Sequence, residues 1–277
     1  MRAIDVHVHP STRGIDKDAC SYFKRDLADL PTAEHDFAAL FARHDVKALL
    51  IGWHPSTVTR GTHNTNEHVI DLACRYPEAF AGVLASLDTS APDVDQLARR
   101  AQELVRNAVV KGFKFHPPDQ GFYPHDRKYY PIWEVLQAAS KPVMFHTGFT
   151  VLGANTDGGR GIGLDYGRPI HLDTLARDFP NMKIVAAHPG WPWQEELIAV
   201  ITHKRNVYAD TSGYLAEQLP EIFRSAMRGR LQGKILFGTD FPYVDLEKAL
   251  VSFDKLGFED TSREKILFAN AVDLFAL

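Results

Sequence analysis

The sequence has little cysteine and no long apolar segment, and both shortages limit the classes of protein to which it can belong. Its 277 residues include two cysteines, Cys20 and Cys74, which are too few for a disulfide scaffold and are not spaced as a C-x-x-C motif. No run approaches the roughly 18 apolar residues of a membrane span, and the first residues lack the apolar core of a signal peptide. We therefore predict a cytoplasmic protein that has no membrane partner.

An excess of charge of either sign is also missing. The formal net charge is -4, the charged residues make up 24% of the chain, and the sequence pI is about 6.3. This mild acidity argues against nucleic acid as the main partner. Hydrophobic residues account for 45% of the chain, which is ordinary for a globular protein with a sizeable core. We expect the partner to be a small-molecule substrate.

Short apolar runs recur along the chain, and each is followed by a stretch of helical periodicity. The runs predict eight strands, at residues 3–8, 46–52, 80–87, 109–115, 143–145, 184–187, 207–209 and 235–237. Alternating strands and helices predict a parallel sheet with helices outside it, and eight such units predict a (β/α)8 TIM barrel formed by one domain over residues 1–277. An open doubly wound sheet is the alternative, but its Gly-rich first turn is replaced here by His9-Pro10.

The segments between the strands divide into helices and two long loops. The predicted helices cover residues 33–43, 66–75, 93–107, 132–139, 172–178, 195–203, 215–228, 244–255 and 262–274. Thr32 and Asp93 are expected to cap the first and third of them. The connections 11–30 and 147–169 are long enough to indicate functional loops, since connections in compact domains are usually short.

The first strand carries two histidines two residues apart. Because alternate residues of a strand share a face, His7 and His9 are expected to point one way, and Val6 and Val8 the other way, toward the helices. Two imidazoles at one strand end can bind a single metal ion. The H-x-H pattern by itself fits a polar strand end without a ligand equally well.

Three further residues with metal-binding side chains end other strands. His146 ends the fifth, His188 the sixth and Asp240 the eighth, and the carboxyl ends of barrel strands are where active sites are built. A buried polar group needs its own partner, so four histidines and a carboxylate at one rim are hard to explain as core. Their convergence predicts a metal site of zinc type.

This series of residues resembles the amidohydrolase superfamily, and more narrowly the amidohydrolase-related (amidohydrolase 2) group, which includes aminocarboxymuconate semialdehyde decarboxylase and the hydroxybenzoate decarboxylases. The likeness spans essentially the whole chain and is marked in residues 111–117, 188–193 and 237–242. It implies one divalent metal ion, usually zinc, with manganese or another divalent ion as an alternative. It also makes a homo-oligomer plausible.

The resemblance implies a role for each residue of the series. The metal ligands would be His7, His9, His146 and Asp240, and the residue that matches His188 commonly transfers a proton or orients the attacking water. The superfamily's two-metal members place a carboxylated lysine or a carboxylate at the fourth strand, so a binuclear site that includes a modified lysine remains an alternative to the mononuclear one.

Five residues are candidate substrate contacts. Lys114 could be the modified lysine, but a charged residue that binds an anionic substrate group is the preferred interpretation. His116 could contact substrate, bind metal or make an ordinary strand-end hydrogen bond. His54 and Trp191 are expected to line the pocket, where aromatic side chains suit planar substrates, and Arg168 could clamp a carboxylate, although ordinary surface charge explains it equally well.

The favoured function is that of a metal-dependent hydrolase in which Asp240 accepts a proton from a metal-activated water and His188 shuttles it. The substrate would be a small aromatic or carboxylated ester, thioester, lactone or activated C–C bond, and an aryl β-ketoacyl-CoA is one candidate. The first alternative is non-oxidative decarboxylation of a hydroxybenzoate- or muconate-type acid, because one set of ligands supports both reactions. The second is a non-catalytic binding protein on the same fold.

Overall fold

Eight parallel strands, hydrogen-bonded in chain order, form the sheet around which the other described residues of this computed structural model are arranged. The structure describes residues 1–12, 17–53 and 64–277. The strands are β1 (Ala3–Val8), β2 (Val46–Ile51), β3 (Phe80–Ala85), β4 (Val110–Phe115), β5 (Val143–His146), β6 (Ile184–Ala187), β7 (Val207–Asp210) and β8 (Ile235–Leu236). The prediction of a (β/α)8 barrel is confirmed.

Twelve α-helices accompany the strands in the described part of the chain. They are α1 (Lys17–Tyr22), α2 (Glu34–Arg43), α3 (Asn66–Arg75), α4 (Val94–Leu104), α5 (Pro117–Gln120), α6 (Tyr130–Ala138), α7 (His171–Asp178), α8 (Gln194–His203), α9 (Glu221–Arg228), α10 (Leu246–Asp254), α11 (Asp260–Glu264) and α12 (Asn270–Phe275). The short helix α1 lies within the first predicted long loop. Within the described residues, no helix combines the length and the apolar character needed to cross a bilayer.

Two predicted helices are interrupted in the structure. The helix expected over 215–228 is a 3-10 turn at Ala216–Gln218 followed by α9, because Pro220 has an extended backbone with ψ 142° and cannot continue the turn. The helix expected over 262–274 is divided between α11 and α12 by a π turn at Lys265–Ala269.

One of the two predicted helix caps is confirmed, and the other is wrong. The Asp93 side chain accepts a 3.0 Å hydrogen bond from the amide of Gln96 and caps α4 as expected. Thr32 is not the cap of α2, since that helix begins after Ala33, which offers no side-chain acceptor.

Residues along each strand alternate between two apolar layers. In β2, Ala48 and Leu50 pack among the apolar faces of the helices, while Leu49 and Ile51 pack inside the barrel. Strands buried on both faces have continuous apolar sequences, which explains why the runs are easy to detect. The helix α12 adds Ala271, Leu274 and Phe275 to the interior layer.

The first strand departs from simple alternation. Val8 packs in the helix-facing layer as expected, but Val6 packs with Ile4 inside the barrel, so the predicted orientation of Val6 is wrong. The pairing of β1 with β2 shifts register between Asp5 and Val8, which changes the side of the sheet that the following residues face. His7 can therefore follow Val6 into the interior.

The barrel closes between β1 and the chain that continues past β8, a junction that we call the seam. The amide of Val6 donates to the carbonyl of Phe237 at 3.0 Å, and the amide of His9 donates to the carbonyl of Phe241 at 2.7 Å. In the reverse direction, the amide of Asp240 donates to the carbonyl of His7 at 2.9 Å. The seam therefore fixes Asp240 beside the two histidines.

An aromatic cluster packs α2 against the seam and gives a prediction about stability. Phe41 is fully buried, and its ring centroid lies 5.4 Å from that of Phe37, 6.2 Å from Phe80 and 5.6 Å from Phe241. We expect Phe41→Ala to lower the free energy of unfolding by about 3–5 kcal/mol in urea denaturation, because it leaves a cavity. Val251→Ala, at a position that is 46% exposed, should change it by less than ~0.5 kcal/mol. Equal losses would contradict this account.

Candidate metal centre

The carboxyl ends of the strands surround one cavity of about 770 Å³. Most of the residues that the sequence analysis selected line it, namely His7, His9, Lys114, His116, His146, His188, Trp191 and Asp240. The cavity lies at the end of the barrel where the fold places active sites.

Three of the four predicted ligands form one compact group. Asp240 Oδ1 lies 3.4 Å from His7 Nε2 and 3.3 Å from His9 Nε2. The candidate ligand atoms of these three residues all lie within 4.8 Å of one another, which is close enough for a single ion to contact all of them.

The fourth predicted ligand, His146, contacts His188 instead. His146 Nδ1 lies 3.0 Å from His188 Nε2, at the neighbouring strand end. Among the described residues, His146 belongs to neither of the groups of three that meet the 4.8 Å spacing, and the second such group is His7, His188 and Asp210.

A buried carboxylate that the sequence analysis missed sets the orientation of His7. Asp210 ends β7, is fully buried, and its Oδ2 lies 3.0 Å from His7 Nδ1. A carboxylate only accepts, so the hydrogen of His7 is on Nδ1 and its Nε2 presents a lone pair toward Asp240. Asp210 could have been identified from the sequence by its position at a strand end, which is how His146, His188 and Asp240 were identified.

The other oxygen of Asp210 organises the end of β6. Asp210 Oδ1 accepts from the amides of His188 at 2.8 Å and Ser212 at 3.0 Å, and from the Ser212 hydroxyl at 2.5 Å. Because that hydroxyl donates to Asp210, Ser212 Oγ is an acceptor toward His7 Nδ1 at 3.0 Å and His188 Nδ1 at 2.8 Å. One carboxylate thereby orders two strand ends.

The contact between His146 and His188 brings two lone pairs together. His188 Nδ1 lies 3.1 Å from the carbonyl of Ser212, and His146 Nε2 lies 3.2 Å from the carbonyl of Phe149, so each of these nitrogens carries the hydrogen. The remaining nitrogens, His188 Nε2 and His146 Nδ1, then face each other as acceptors. Such a pair is unfavourable unless a cation lies against it.

The donor set therefore fits a divalent metal ion. His7 Nε2 and His146 Nδ1 are lone pairs fixed by hydrogen bonds on the opposite side of each ring, which is the arrangement that prepares an imidazole for metal binding. Two such nitrogens, together with His9 and a carboxylate, match the ligand types of zinc and similar ions.

Burial and neighbouring charge keep the candidate ligands in the protonation states that metal binding needs. Burial, together with positive neighbours, holds the pKa of His7 and His146 well below its usual value, so both rings are neutral. Burial opposes ionisation of Asp240, but the surrounding histidines, among them its hydrogen-bond partner His9, outweigh burial and hold the pKa of that carboxyl below its ordinary value.

Lys114 is the one ammonium group close to the ligands among the described residues that line the cavity. Its Nζ lies 3.0 Å from His7 Nε2, and its side chain is almost completely buried. Burial lowers the pKa of Lys114 to about 8, while Asp240 and Asp210 oppose that shift.

Two site residues adopt a backbone conformation that side chains disfavour. His188 has φ 70° and Asp240 has φ 68°, both in the left-handed region. This conformation costs of the order of 1 kcal/mol or more at each non-glycine position and persists where surrounding contacts impose it. For Asp240 those contacts include the preceding residue, since Thr239 donates to buried Asp5 through its amide at 3.0 Å and its hydroxyl at 2.6 Å.

Aromatic rings line the cavity beside the candidate ligands. The Trp53 ring lies 5.6 Å from the His9 ring, edge to face, and the Tyr243 ring lies 6.1 Å from it. Phe149 and Trp191 form a second edge-to-face pair with centroids 5.6 Å apart, and Trp191 is 48% exposed. A cavity lined by such rings favours a flat substrate.

One predicted substrate contact lies outside the described cavity lining, and another falls outside the described residues. Arg168 pairs with Glu196 at 2.7 Å and lies over the Trp193 ring, and it is not among the described residues that line the cavity. His54 lies outside the described residues.

Comparison with known families gives one match that spans the chain. A family model described as amidohydrolase matches residues 4–277. No curated protein matches the sequence significantly.

Solved structures match the whole chain at low sequence identity. An uncharacterized TIM-barrel protein from Bordetella bronchiseptica is 24% identical with a TM-score of 0.82, covering 100% of this chain and 99% of that one. A 5-carboxyvanillate decarboxylase from Novosphingobium aromaticivorans, solved with manganese, is 19% identical with a TM-score of 0.72, covering 99% and 96%. A probable 2-pyrone-4,6-dicarboxylic acid hydrolase from Acinetobacter baumannii is 14% identical with a TM-score of 0.66, covering 100% of both chains. Likeness at these identities establishes the fold.

The hydrogen-bond pattern of Asp210 predicts a loss of metal affinity on a one-atom change. In Asp210→Asn, the oxygen should stay with the three donors of Ser212 and His188, so the new NH2 group faces His7 Nδ1. His7 Nδ1 then loses its carboxylate acceptor and faces a donor in its place, and the Ser212 hydroxyl alone holds the hydrogen on Nδ1, so Nε2 is kept free for a metal ion less firmly. We expect metal affinity to fall by about 10–100-fold in titrations with zinc or manganese.

The exposed residue Asp254, changed to Asn, is the matched control, and it should keep the affinity of the unaltered protein. Unchanged affinity in Asp210→Asn, with the fold intact by circular dichroism, would contradict the orienting role of Asp210.

Proposed function

The chain belongs to the amidohydrolase family, and on that premise we propose that it is a divalent-metal-dependent decarboxylase of aromatic carboxylic acids. The sequence analysis placed hydrolysis first and decarboxylation second, and the comparisons support the second reaction better. The observation that carries the proposal is the set of aromatic rings that line the same cavity as the candidate metal ligands, because such a lining accepts an aryl acid beside a bound ion.

The similar solved structures support decarboxylation ahead of hydrolysis. The decarboxylase from Novosphingobium aromaticivorans is closer to this chain in identity and in TM-score than the probable hydrolase from Acinetobacter baumannii. The same structure holds manganese, which makes manganese as strong a candidate as the zinc that the sequence analysis favoured.

His7, His9 and Asp240 would hold the ion, and His146 Nδ1 offers a further lone pair at a neighbouring position of the rim. A bound divalent ion supplies Lewis acidity, which attracts the carboxylate or phenolate oxygens of the substrate. One ion accounts for the compact group of three ligands. The two-metal alternative with a modified Lys114 has no independent support.

Lys114 would bind the carboxylate of the substrate. Its ammonium group is buried beside His7 and directed into the cavity, where a charge-assisted hydrogen bond to a carboxylate is strong. This contact would hold the leaving carboxylate next to the ligand group while the aromatic rings fix the plane of the substrate.

His188 would supply the proton that replaces carbon dioxide. When the bond between the ring carbon and the carboxylate breaks, its electron pair remains on the ring carbon and must take up one proton. The Nδ1–H of His188 is held by Ser212, so Nε2 is a lone pair in the resting site; it would take up one proton from water and deliver it to the ring carbon. This transfer returns His188 to its neutral form.

The proposed reaction is tested by product analysis of the metal-loaded protein. We expect hydroxybenzoates and carboxylated phenols to release carbon dioxide, and chelation to abolish the release until zinc or manganese is restored. Asp240→Asn should lower kcat by ~10²-fold or more even where metal is retained, because its negative charge is lost from the site. Turnover of aryl esters, lactones or β-ketoacyl thioesters without carbon dioxide release would favour the hydrolase. A protein that held no metal and turned over none of these compounds would favour the binding role.

The two lysines of β4 provide a matched test of carboxylate binding. Lys114→Met removes the ammonium group inside the cavity and should raise the KM for the acid by about 10–100-fold. Lys111→Met removes a charge outside the cavity lining and should leave the KM unchanged. A similar KM for both variants would contradict the role of Lys114.

A cytoplasmic location and a homo-oligomeric state stay predictions. Size-exclusion chromatography with light scattering tests the second of them directly.

A further inference from the structure

Thr150 lies in the loop that follows β5 and contributes to the cavity wall, although its side chain is nearly buried. Two groups approach its hydroxyl oxygen. The amide nitrogen of Leu152 is 3.2 Å from Oγ1, and His116 Nε2 is 3.4 Å from it. The amide of Leu152 can only donate, so Oγ1 accepts from it.

The second approach is also that of a donor, because the tautomer of His116 is fixed. His116 Nδ1 accepts a 3.2 Å hydrogen bond from the amide of Asp119, at the start of α5. A nitrogen that accepts from an amide carries no hydrogen, so the hydrogen of this neutral ring is on Nε2 and points at Thr150. The His116 backbone is held in turn by Gln120, whose Oε1 accepts from its amide at 2.8 Å.

The hydrogen of the Thr150 hydroxyl is therefore directed elsewhere. A hydroxyl has two lone pairs and one hydrogen, and both lone pairs face donors here. Within the described part of the chain no acceptor contacts this hydroxyl, and the cavity is the open space beside it.

The loop that carries Thr150 is fixed relative to the ligand group at two points. His146 Nε2 donates to the carbonyl of Phe149, the residue before Thr150, at 3.2 Å. The rings of His116 and His146 stack with centroids 3.9 Å apart and an angle of 23° between their planes. The hydroxyl is thus held at a set position in the wall of the cavity that the candidate ligands line.

We propose that Thr150 is a substrate-binding residue, whose hydroxyl donates a hydrogen bond to an anionic oxygen of the aryl acid. His116 is a positioning residue that acts through it by occupying the lone pair on the opposite side. This inference deepens the proposed function and rests on it for the class of ligand.

Calorimetric titration of the manganese-loaded protein with 2,6-dihydroxybenzoate tests the proposal. Thr150→Val keeps the shape of the side chain and removes the donor, and we expect Kd to rise by about 10–100-fold, as for a lost hydrogen bond to a charged group. Thr150→Ser should retain the affinity. Thr156→Val is the matched control, because it removes a hydroxyl of the same loop that donates to Gly153 and does not line the cavity.

A double-mutant cycle separates positioning from direct binding by His116. His116→Phe keeps a ring against His146 but removes the donor, so Kd should rise by less than in Thr150→Val. In the double variant Thr150→Val/His116→Phe, the loss should equal that of Thr150→Val alone, because the two residues act on one hydroxyl. Independent, additive losses would overturn the positioning role of His116.

Failure of this proposal is distinguishable from failure of the proposed reaction. An unchanged Kd in Thr150→Val, or loss of affinity in Thr150→Ser as well, overturns the role of Thr150 even where carbon dioxide is released. Absence of saturable binding to the unaltered, fully loaded protein overturns it too. Binding that depends on the Thr150 hydroxyl, without carbon dioxide release from any acid tested, supports the inference and contradicts the decarboxylase.

Discussion

The seam between β1 and the chain after β8 is the constraint on which the site depends. Asp240 and His9 are far apart in the sequence, and only the hydrogen bonds that close the barrel bring the carboxylate within 3.4 Å of the β1 histidines. The hydrogen bonds that close the barrel are therefore also the contacts that place these candidate ligands together. The aromatic cluster around Phe41 packs directly on Phe241, so the stability of this junction and the geometry of the ligands share a common support.

Hydrogen bonds determine which ring nitrogen carries the hydrogen in three histidines of the site. Asp210, Ser212 and the carbonyl of Phe149 together determine which nitrogen of His7, His188 and His146 is bare. A donor set arranged in this way loses little on binding a cation, because the rings need neither to rotate nor to exchange hydrogens. The left-handed backbone at His188 and Asp240 indicates that surrounding contacts, rather than local preference, hold the strand ends in place.

Much of this arrangement follows from local sequence, and the rest requires the packed barrel. Apolar runs identified all eight strands because parallel strands are buried on both faces, and strand-end positions identified His146, His188 and Asp240 as lining one cavity. The predicted orientation of Val6 was wrong because the register of β1 shifts where it pairs with β2. A rule of simple alternation along one strand cannot predict such a shift. The role proposed for Thr150 was equally invisible, since it depends on two donors from separate segments.

The carboxylate of Asp210 accepts from four groups on three residues, and this has a consequence for protein design. A designer who transplanted only His7, His9, His146 and Asp240 onto another barrel would copy the candidate ligands and omit the group that determines where the hydrogens reside. The grafted histidines would then be free to present N–H groups to the ion. The smallest transferable unit of this centre is therefore larger than its ligands, and it includes the end of β7.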